Sequence, residues 1–124
     1  MHRVIHFELF AKEPDRASDF YSEIFGWLLT KKVAGKEDYW LISTGQGSER
    51  GINGGMKTRA SGQTGMIPTI EVEDVDATLA KVETQGGKVV EPKKKIGGTG
   101  YLAYCSDTEG NLFAILQYAP EVKE

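Results

Sequence analysis

The chain has little cysteine, no long apolar run and no excess of basic charge. Its one cysteine, Cys105, cannot form a disulfide within the chain, which favours a reducing cytoplasm. No apolar segment approaches the ~20 residues that a membrane helix requires, and the first residues lack the apolar core of a signal peptide. The formal net charge is −3, which does not favour binding to nucleic acid. These absences predict a cytoplasmic protein without a membrane or nucleic-acid partner.

Two motifs for binding nucleotide phosphates are also missing. No GxGxxG links a strand to a helix, and there is no P-loop. What the chain does contain is glycine, with 15 residues in 124, mostly between segments that alternate as strands do. Glycine at such positions is typical of tight turns, so the composition indicates a sheet-rich protein.

The main feature of the sequence is a pattern that occurs twice. Val4–Ala11 alternates apolar and polar residues as a strand does, and Pro14–Phe25 has the apolar spacing of a helix that ends at Gly26. A second strand from Met66 and a second helix after Asp74 repeat this order. We therefore predict one domain over 1–124 with two βαβββ modules: module one at about 4–57, a linker at about 58–65, module two at about 66–118 and a loose tail at 119–124.

The predicted fold class is α+β, with curved, mostly antiparallel sheets around a cup and one helix behind each sheet. Alternation along the strands and the helical spacing assign ten apolar side chains to the core between helix and sheet: Ile5, Phe7, Leu9, Phe20, Ile24, Ile70, Leu79, Val82, Phe113 and Ile115. We expect Cys105 to be a buried structural thiol, and Lys93, Lys94 and Lys95 to lie in a solvated loop over 92–100.

Several segments of the sequence form a recognisable combination: the His6 strand, the helix start at Pro14–Ala17, the segments Asp19–Tyr21 and Phe25–Trp27, and the turn Asp107–Asn111. Together they resemble the vicinal oxygen chelate superfamily, which includes glyoxalase I, extradiol dioxygenases and bleomycin-resistance proteins. The resemblance spans roughly Val4–Tyr118 and implies paired βαβββ modules. In the enzymes of the family, four side chains in the cup hold a divalent metal that binds adjacent oxygens of the substrate.

The four metal positions implied by the resemblance are mostly without donor atoms here. His6 matches the first position. The second falls within Ile52–Met56, where Asn53 is the only candidate, and the third and fourth fall on Ile67 and Ala114. One imidazole cannot hold a divalent metal, so we expect no metal cofactor. If a metal binds, His6 and Glu8 are its ligands, but two ligands remain short of the usual three.

His6 and Glu8 can also act without a metal. They lie two residues apart on one strand, so both side chains point to the same face. An imidazole titrates near neutral pH and can serve as a general base, with the carboxylate orienting it. The alternative is that His6 is inherited and only structural.

The remaining positions on the predicted inner face of the cup are largely apolar. Either Trp40 or Tyr39, and either Tyr101 or Tyr104, can supply aromatic walls. The predicted cavity residues are Phe10, Trp40, Ile67, Thr69, Tyr101, Leu112, Ala114 and Leu116. This face indicates a small apolar ligand cavity.

We therefore predict a glyoxalase- or bleomycin-resistance-like protein that binds a small organic molecule without the metal of the family. The alternatives are a metal-dependent lyase or isomerase resembling lactoylglutathione lyase, a dioxygenase-like enzyme, and a former enzyme that now acts in assembly or regulation. Whether the chain is an enzyme stays open at this point. A homodimer is expected because an open sheet leaves edges and apolar surface that a second chain covers.

Overall fold

A computed structural model describes residues 1–34, 37–60 and 65–123. The order of elements is the predicted βαβββ pattern, twice, which confirms the α+β class. In chain order the elements are β1 Val4–Ala11, α1 Pro14–Phe25, β2 Leu28–Ala34, β3 Glu37–Ser43, β4 Gly54–Thr58, β5 Met66–Glu71, α2 Val75–Thr84, β6 Lys88–Ile96, β7 Gly100–Ser106 and β8 Leu112–Tyr118.

The chain divides into two compact units. The first unit is His6–Met66, and the second unit is Met1–Ile5 together with the chain from Ile67 onward. The first residues belong to the second unit because His2 N donates to Glu71 O (2.9 Å) and Glu71 N donates to Arg3 O (3.1 Å). The structural boundary therefore differs from the sequence-based one at Val4 and Ile5.

The first unit contains four strands in the order β2-β3-β4-β1. β1 and β4 are parallel, with Leu9 opposite Met56, and the other two pairs are antiparallel. Its core lies between the sheet and α1, where Ala17 and Tyr21 of the helix pack against the sheet. The buried core residues are Phe7, Leu9, Ala11, Trp40, Ile42 and Met56. This core occupies one face of the sheet and leaves the other face for a site.

α1 begins and ends where the sequence predicts. Pro14 occupies its first turn, and Gly26 adopts a left-handed φ of 71° while its N–H donates to Ser22 O at 2.9 Å. The prediction that Phe20 and Ile24 belong to the core is wrong, because they are 55% and 57% exposed. At about 100° per residue, Phe20 lies about 80° and Ile24 about 40° around the helix from the centre of the stripe that Ala17 and Tyr21 form against the sheet. The apolar residues of α1 do lie on one side of the helix, as predicted, but the sheet covers only part of that side.

The second unit repeats this arrangement, with strands in the order β5-β8-β7-β6. β5 and β8 are parallel, with Thr69 opposite Ala114, and the other pairs are antiparallel. Asp74 caps α2 by accepting from Ala77 N at 3.1 Å, as its sequence position predicts. The core between α2 and the sheet consists of Val72, Val75, Ala103 and Ile115, with Ile70, Leu79, Tyr101 and Phe113 packed against them.

β6 is longer than the sequence indicates. The predicted loop over 92–100 is wrong as far as Ile96, because the strand continues through Lys93–Lys95. The register with β7 shifts between Val89 and Glu91 and again between Glu91 and Lys94, and Pro92 lies within the second shift. A proline is tolerated in an edge strand at such an irregularity. The lysines therefore lie on an edge strand, where their charge also discourages pairing with another chain.

The C-terminal segment is held by hydrogen bonds rather than loose. Ala119 N donates to Thr99 O at 2.8 Å, and Gly98 N donates to Val122 O at 2.9 Å. Ala119 is also buried, so the predicted loose tail is corrected over 119–122. Of the predicted linker, residues 61–64 lie outside the described residues. Neither helix in the described ranges combines the length and apolar character needed to cross a membrane.

Candidate functional site

The candidate site lies on the face of the first unit's sheet that is opposite α1. Along β1, Phe7 and Leu9 point into the core, so His6 and Glu8 point to the other side. We call this side the His6 face; it carries His6, Glu8, Tyr39, Gly55 and Lys57. His6 is half-buried, and Glu8 is only 4% exposed. Phe10 follows the same alternation and is buried.

Tyr39 reaches His6 across β4. The register pairs Trp40 with Met56 of the core, which places the preceding residue, Tyr39, on the His6 face. Its hydroxyl lies 3.4 Å from His6 Nε2, at the long end of the hydrogen-bond range. A Cβ atom on Gly55 would overlap the Tyr39 phenol. The glycine therefore lets the ring cross the strand between β1 and β3.

The prediction that Trp40 lines the cavity is consequently wrong. Trp40 is buried in the core on the α1 side, with Ile42 and Met56. Adjacent residues of a strand point to opposite faces, and the sequence left open which of Tyr39 and Trp40 faces the site. The register with β4 decides it, because Met56 belongs to the core.

A buried charge pair lies beside the histidine. Glu8 Oε2 is 3.9 Å from Lys57 Nζ, and the lysine side chain is largely shielded from solvent. Sequence reasoning missed Lys57, although it lies on β4 with the alternation of Gly55. The missing information was the parallel pairing of β1 with β4, which places Phe10 opposite Lys57 and Glu8 opposite Gly55.

Burial and these charges shift the pKa values of His6 and Tyr39, whose side chains are in contact. Burial lowers the pKa of His6; Glu8 opposes this shift and Lys57 adds to it. Burial, and then the nearby Glu8 carboxylate, raises the pKa of Tyr39 to about 12. At neutral pH the imidazole is therefore mainly neutral and the phenol is protonated. When Nε2 carries no proton, the phenol can donate to it, and Nδ1 then carries the proton.

A cavity of about 390 Å³ opens on the same face, beside His6. This volume is within the usual range for small-ligand sites. Leu28 and Leu41 form apolar wall, while Thr30, Ser43 and Asn53 add polar groups and Lys32 adds a cation. The arrangement can hold an apolar body while His6 contacts a polar atom of the ligand.

The donor atoms near His6 do not fit a divalent metal. Among the described residues, no three His, Cys, Asp or Glu side chains lie close enough to share an ion. Asn53 Oδ1, the weak candidate from the sequence, accepts from Thr44 N at 2.9 Å. Glu8 faces Lys57 at 3.9 Å. His6 and Glu8 are thus short of the three protein ligands usual for a catalytic metal, and metal-free function stays a prediction.

The other predicted cavity residues belong to the second unit. Thr69 is opposite Ala114 in β8, and Ala114 is opposite Tyr104 in β7, so these three share a face that we call the Thr69 face. By alternation the same face carries Ile67, Leu112 and Leu116. Thr69 Oγ1 is buried and has no hydrogen-bond partner among the described residues. At the family's metal positions, this face carries only the hydrocarbon side chains of Ile67 and Ala114.

Tyr101 is the second aromatic residue whose position differs from the prediction. The prediction that it lines the cavity is wrong, because it packs on the α2 side against the core of Ala103 and Ile115. Tyr104, the alternative left open by the sequence, lies on the Thr69 face. Its position follows from the register, which pairs Tyr104 with Ala114 and Tyr101 with Gln117.

Sequence comparison identifies the family. Residues 3–115 match the Glyoxalase/Bleomycin resistance protein/Dioxygenase superfamily. A Vibrio cholerae protein named "Probable lactoylglutathione lyase" is 29% identical over 94% of this chain and 91% of its own length. A Mycobacterium tuberculosis protein, CFP32, whose name carries a provisional assignment as a glyoxylase, is also 29% identical over 92% of this chain. The chain spans 43% of the length of that relative.

Solved structures show the same fold at lower identity. Methylmalonyl-CoA epimerase from Mycobacterium tuberculosis is 15% identical with a TM-score of 0.67, over 95% of this chain and 89% of the epimerase. A Streptomyces coelicolor methylmalonyl-CoA epimerase is 17% identical with a TM-score of 0.68, over 100% of this chain and 99% of the epimerase. The twofold βαβββ order, the His6 strand and the match over residues 3–115 lead to one conclusion: the chain belongs to the glyoxalase/bleomycin resistance protein/dioxygenase superfamily.

Proposed function

We propose that the chain binds a small organic molecule with an apolar body in the cavity beside His6, without a divalent metal. The observation that carries this proposal is the composition of the 390 Å³ cavity, where leucines form apolar wall and His6 offers a polar contact. Burying an apolar ligand there removes its surface from water, which is the main source of affinity in such sites. Lys32 at the same cavity favours a neutral or anionic ligand over a cation.

The test is a binding screen with small aromatic compounds, both neutral and carboxylate, read as a shift in melting temperature. A ligand present at ~100 times its Kd stabilises the folded state by about 2.7 kcal/mol, which is readily measured. Leu41→Trp places a large ring in the cavity and is expected to abolish the shift. Val90→Trp is the matched control, because Val90 is an exposed apolar residue of the second unit. If both variants bind as the wild type does, the ligand is not in this cavity.

A second candidate is a lyase or isomerase that uses His6 and Glu8 for proton transfer. The mainly neutral His6 imidazole beside the cavity supports this role, and so do the relatives named lactoylglutathione lyase. His6 accepts a proton from the bound substrate, while Glu8 stabilises the imidazolium that forms. Tyr39 provides a protonated phenol at the same nitrogen.

An assay for lactoylglutathione lyase distinguishes this candidate from simple binding. Turnover by chelator-treated protein, lowered ~100-fold or more in His6→Gln, supports metal-free proton transfer. Turnover that appears only after a divalent metal is added supports the metal-dependent alternative. No turnover, with ligand binding intact in the screen, leaves the binding protein as the function.

Metal content provides an independent test of the metal-free part of the proposal. Ile67 and Ala114 offer carbon where the family's metal would need donor atoms, and Asn53 is engaged with Thr44. We expect freshly purified protein to contain far less than one equivalent of Zn²⁺, Ni²⁺ or Mn²⁺ by elemental analysis. One tightly held ion per chain, lost in His6→Ala, would contradict this part of the proposal.

We also propose that the protein is a homodimer. Ile24 and Phe25, at the end of α1, are large apolar residues that are more than half exposed. Neighbouring exposed apolar residues of this size mark an interaction surface more often than scattered ones do. A second copy of the chain is the expected partner of this surface.

A further inference from the structure

We propose that the first unit has a second ligand site, on the α1 side of its sheet, for a small amphipathic carboxylate. A cavity of about 590 Å³ lies there between the first half of α1 and the adjoining ends of β1 and β4. His6 lies on the opposite face of the same sheet. This site is therefore independent of the proposed function, and neither proposal depends on the other.

The floor of the cavity is formed by core side chains. Leu9 and Met56 are buried in the sheet and line the cavity from below, while Ala17 and Phe20 line it from the helix. Ala17 is one of the two helix residues packed against the core, and its methyl group is small. The cavity is lined by residues of both α1 and the sheet, so space remains between them at this end of the helix. That space suits a hydrocarbon chain or an aromatic ring.

The rim of the cavity is mainly cationic. Lys12, Arg16 and Arg59 line it, together with one carboxylate, Glu13. Glu13 pairs with Arg16 at 3.3 Å. Within the described part of the chain, the ion pairs involve the cations Arg16, Lys31, Lys57 and Lys93, and neither Lys12 nor Arg59 takes part in one. An anion is therefore favoured at the rim.

Arg59 is held at the cavity in a way that suits a carboxylate. Its Nη2 donates to Phe10 O at 3.3 Å, and its own N–H donates to Ala11 O at 2.8 Å. These bonds fix the residue beside the end of β1 and leave further guanidinium donors. A guanidinium can bind a carboxylate through two parallel hydrogen bonds, which gives both affinity and orientation. The geometry thus points to a ligand with one carboxylate at Arg59 and an apolar part over Leu9 and Met56.

The experiment compares decanoate with decanol by isothermal titration calorimetry on the full chain. We expect one saturable decanoate site per chain. Arg59→Gln should weaken decanoate ~10-fold or more, the range expected for a hydrogen bond to a charged group, and leave decanol unchanged. Ala17→Leu fills the space and should weaken both ligands. If it melts well below the wild type, the Arg59→Gln comparison alone decides.

Two control variants separate this site from the other surfaces of the unit. Leu41→Trp occupies the cavity beside His6, and Ile24→Lys alters the exposed end of α1; both should leave decanoate affinity unchanged. Loss of binding in Leu41→Trp would assign the ligand to the His6 face and overturn the proposal. Loss in Ile24→Lys would assign it to an interface between copies. Absence of saturable binding to the wild type, or equal binding by Arg59→Gln, would also overturn it.

Discussion

At the scale of single residues, Gly55 connects the sheet to the candidate site. It lies on the strand between Tyr39 and His6, and any side chain there would occupy the volume of the Tyr39 phenol. The hydroxyl of Tyr39 reaches His6 Nε2 only because this position has no Cβ. The contact between two residues on separate strands therefore depends on a third residue that takes no part in the chemistry.

Gly55→Ala is expected to displace Tyr39 from His6 and leave the unit folded. The pKa of Tyr39 should then fall from about 12 towards its ordinary value of 10.0, because the ring becomes more exposed. Ultraviolet titration of tyrosinate formation measures this change. Gly47→Ala is the matched control, since a Cβ there meets no atom within 4 Å. An unchanged titration curve in Gly55→Ala would contradict the proposed packing.

His6 should make stability depend on pH in a defined window. Its folded-state pKa is below the ordinary value of 6.5, so between these two values the unfolded chain binds more protons than the folded chain does. The free energy of unfolding should therefore fall as the pH drops below about 6.5. Above that value this contribution is fully present.

Urea unfolding of the wild type and of His6→Gln over a series of pH values tests this expectation. The variant should lose the part of the pH dependence that belongs to this window, while Glu8, Lys57 and Tyr39 remain in place. His2→Gln is the control for the second histidine of the chain. Parallel curves for wild type and His6→Gln would show that the buried imidazole does not carry the effect.

At the scale of elements, strand register explains both corrected aromatic positions. Tyr39-Trp40 and the pair Tyr101 and Tyr104 each offered two aromatic candidates for one face, and hydrophobicity could not separate them. β4 places Trp40 opposite Met56 in the core, and β8 places Tyr104 opposite Ala114. Alternation shows that every second residue of a strand shares a face. The pairing with a neighbouring strand is needed to decide which of the two sets faces the core.

β4 also supplies the most deeply buried large side chain of the first unit. Met56 is 0% exposed, and Met56→Ala should lower the free energy of unfolding by ~2–5 kcal/mol, from lost burial and the cavity that remains. Urea denaturation measures the difference. Met66→Ala is the matched control: this methionine is 53% exposed and should cost much less. Equal losses in the two variants would contradict the assigned core.

The sequence predicted where the helices begin and end, but it did not predict which side of α1 faces the sheet. Pro14, Gly26 and Asp74 mark their boundaries through local backbone chemistry, which does not depend on the rest of the fold. The orientation of Phe20 and Ile24 depends on how α1 rests on its sheet. An apolar stripe identifies the helix, but it does not tell which part of the stripe the sheet covers.

At the scale of the whole molecule, the exposed end of α1 is the surface through which we propose that two chains associate. Replacing Ile24 with Lys and Phe25 with Glu should shift a dimer towards monomer, because the interface would then bury charges. Sedimentation velocity at several protein concentrations measures this shift. Val90→Glu, at another exposed apolar position, should leave the association state unchanged. A wild-type chain that is monomeric at all concentrations would exclude the homodimer.

The duplicated order also leaves the two units chemically unequal. The first unit carries His6, Glu8, Tyr39 and Lys57 on one face of its sheet, whereas Ile67 and Ala114 take the family's metal positions in the second unit. The family's metal takes donor atoms from both modules, so this inequality supports the proposal that the chain binds its ligand without a metal.

The amino-acid sequence by itself determined the βαβββ order, the family, the helix ends and the lack of donor atoms at Ile67 and Ala114. These properties depend on residue identity and on local backbone preferences, which a linear pattern contains. Only the tertiary structure decided that Tyr39 rather than Trp40 meets His6, that Lys57 lies beside Glu8, and that Phe20 remains exposed. Those outcomes depend on strand register and helix rotation, which are set by contacts between residues that are far apart in the chain.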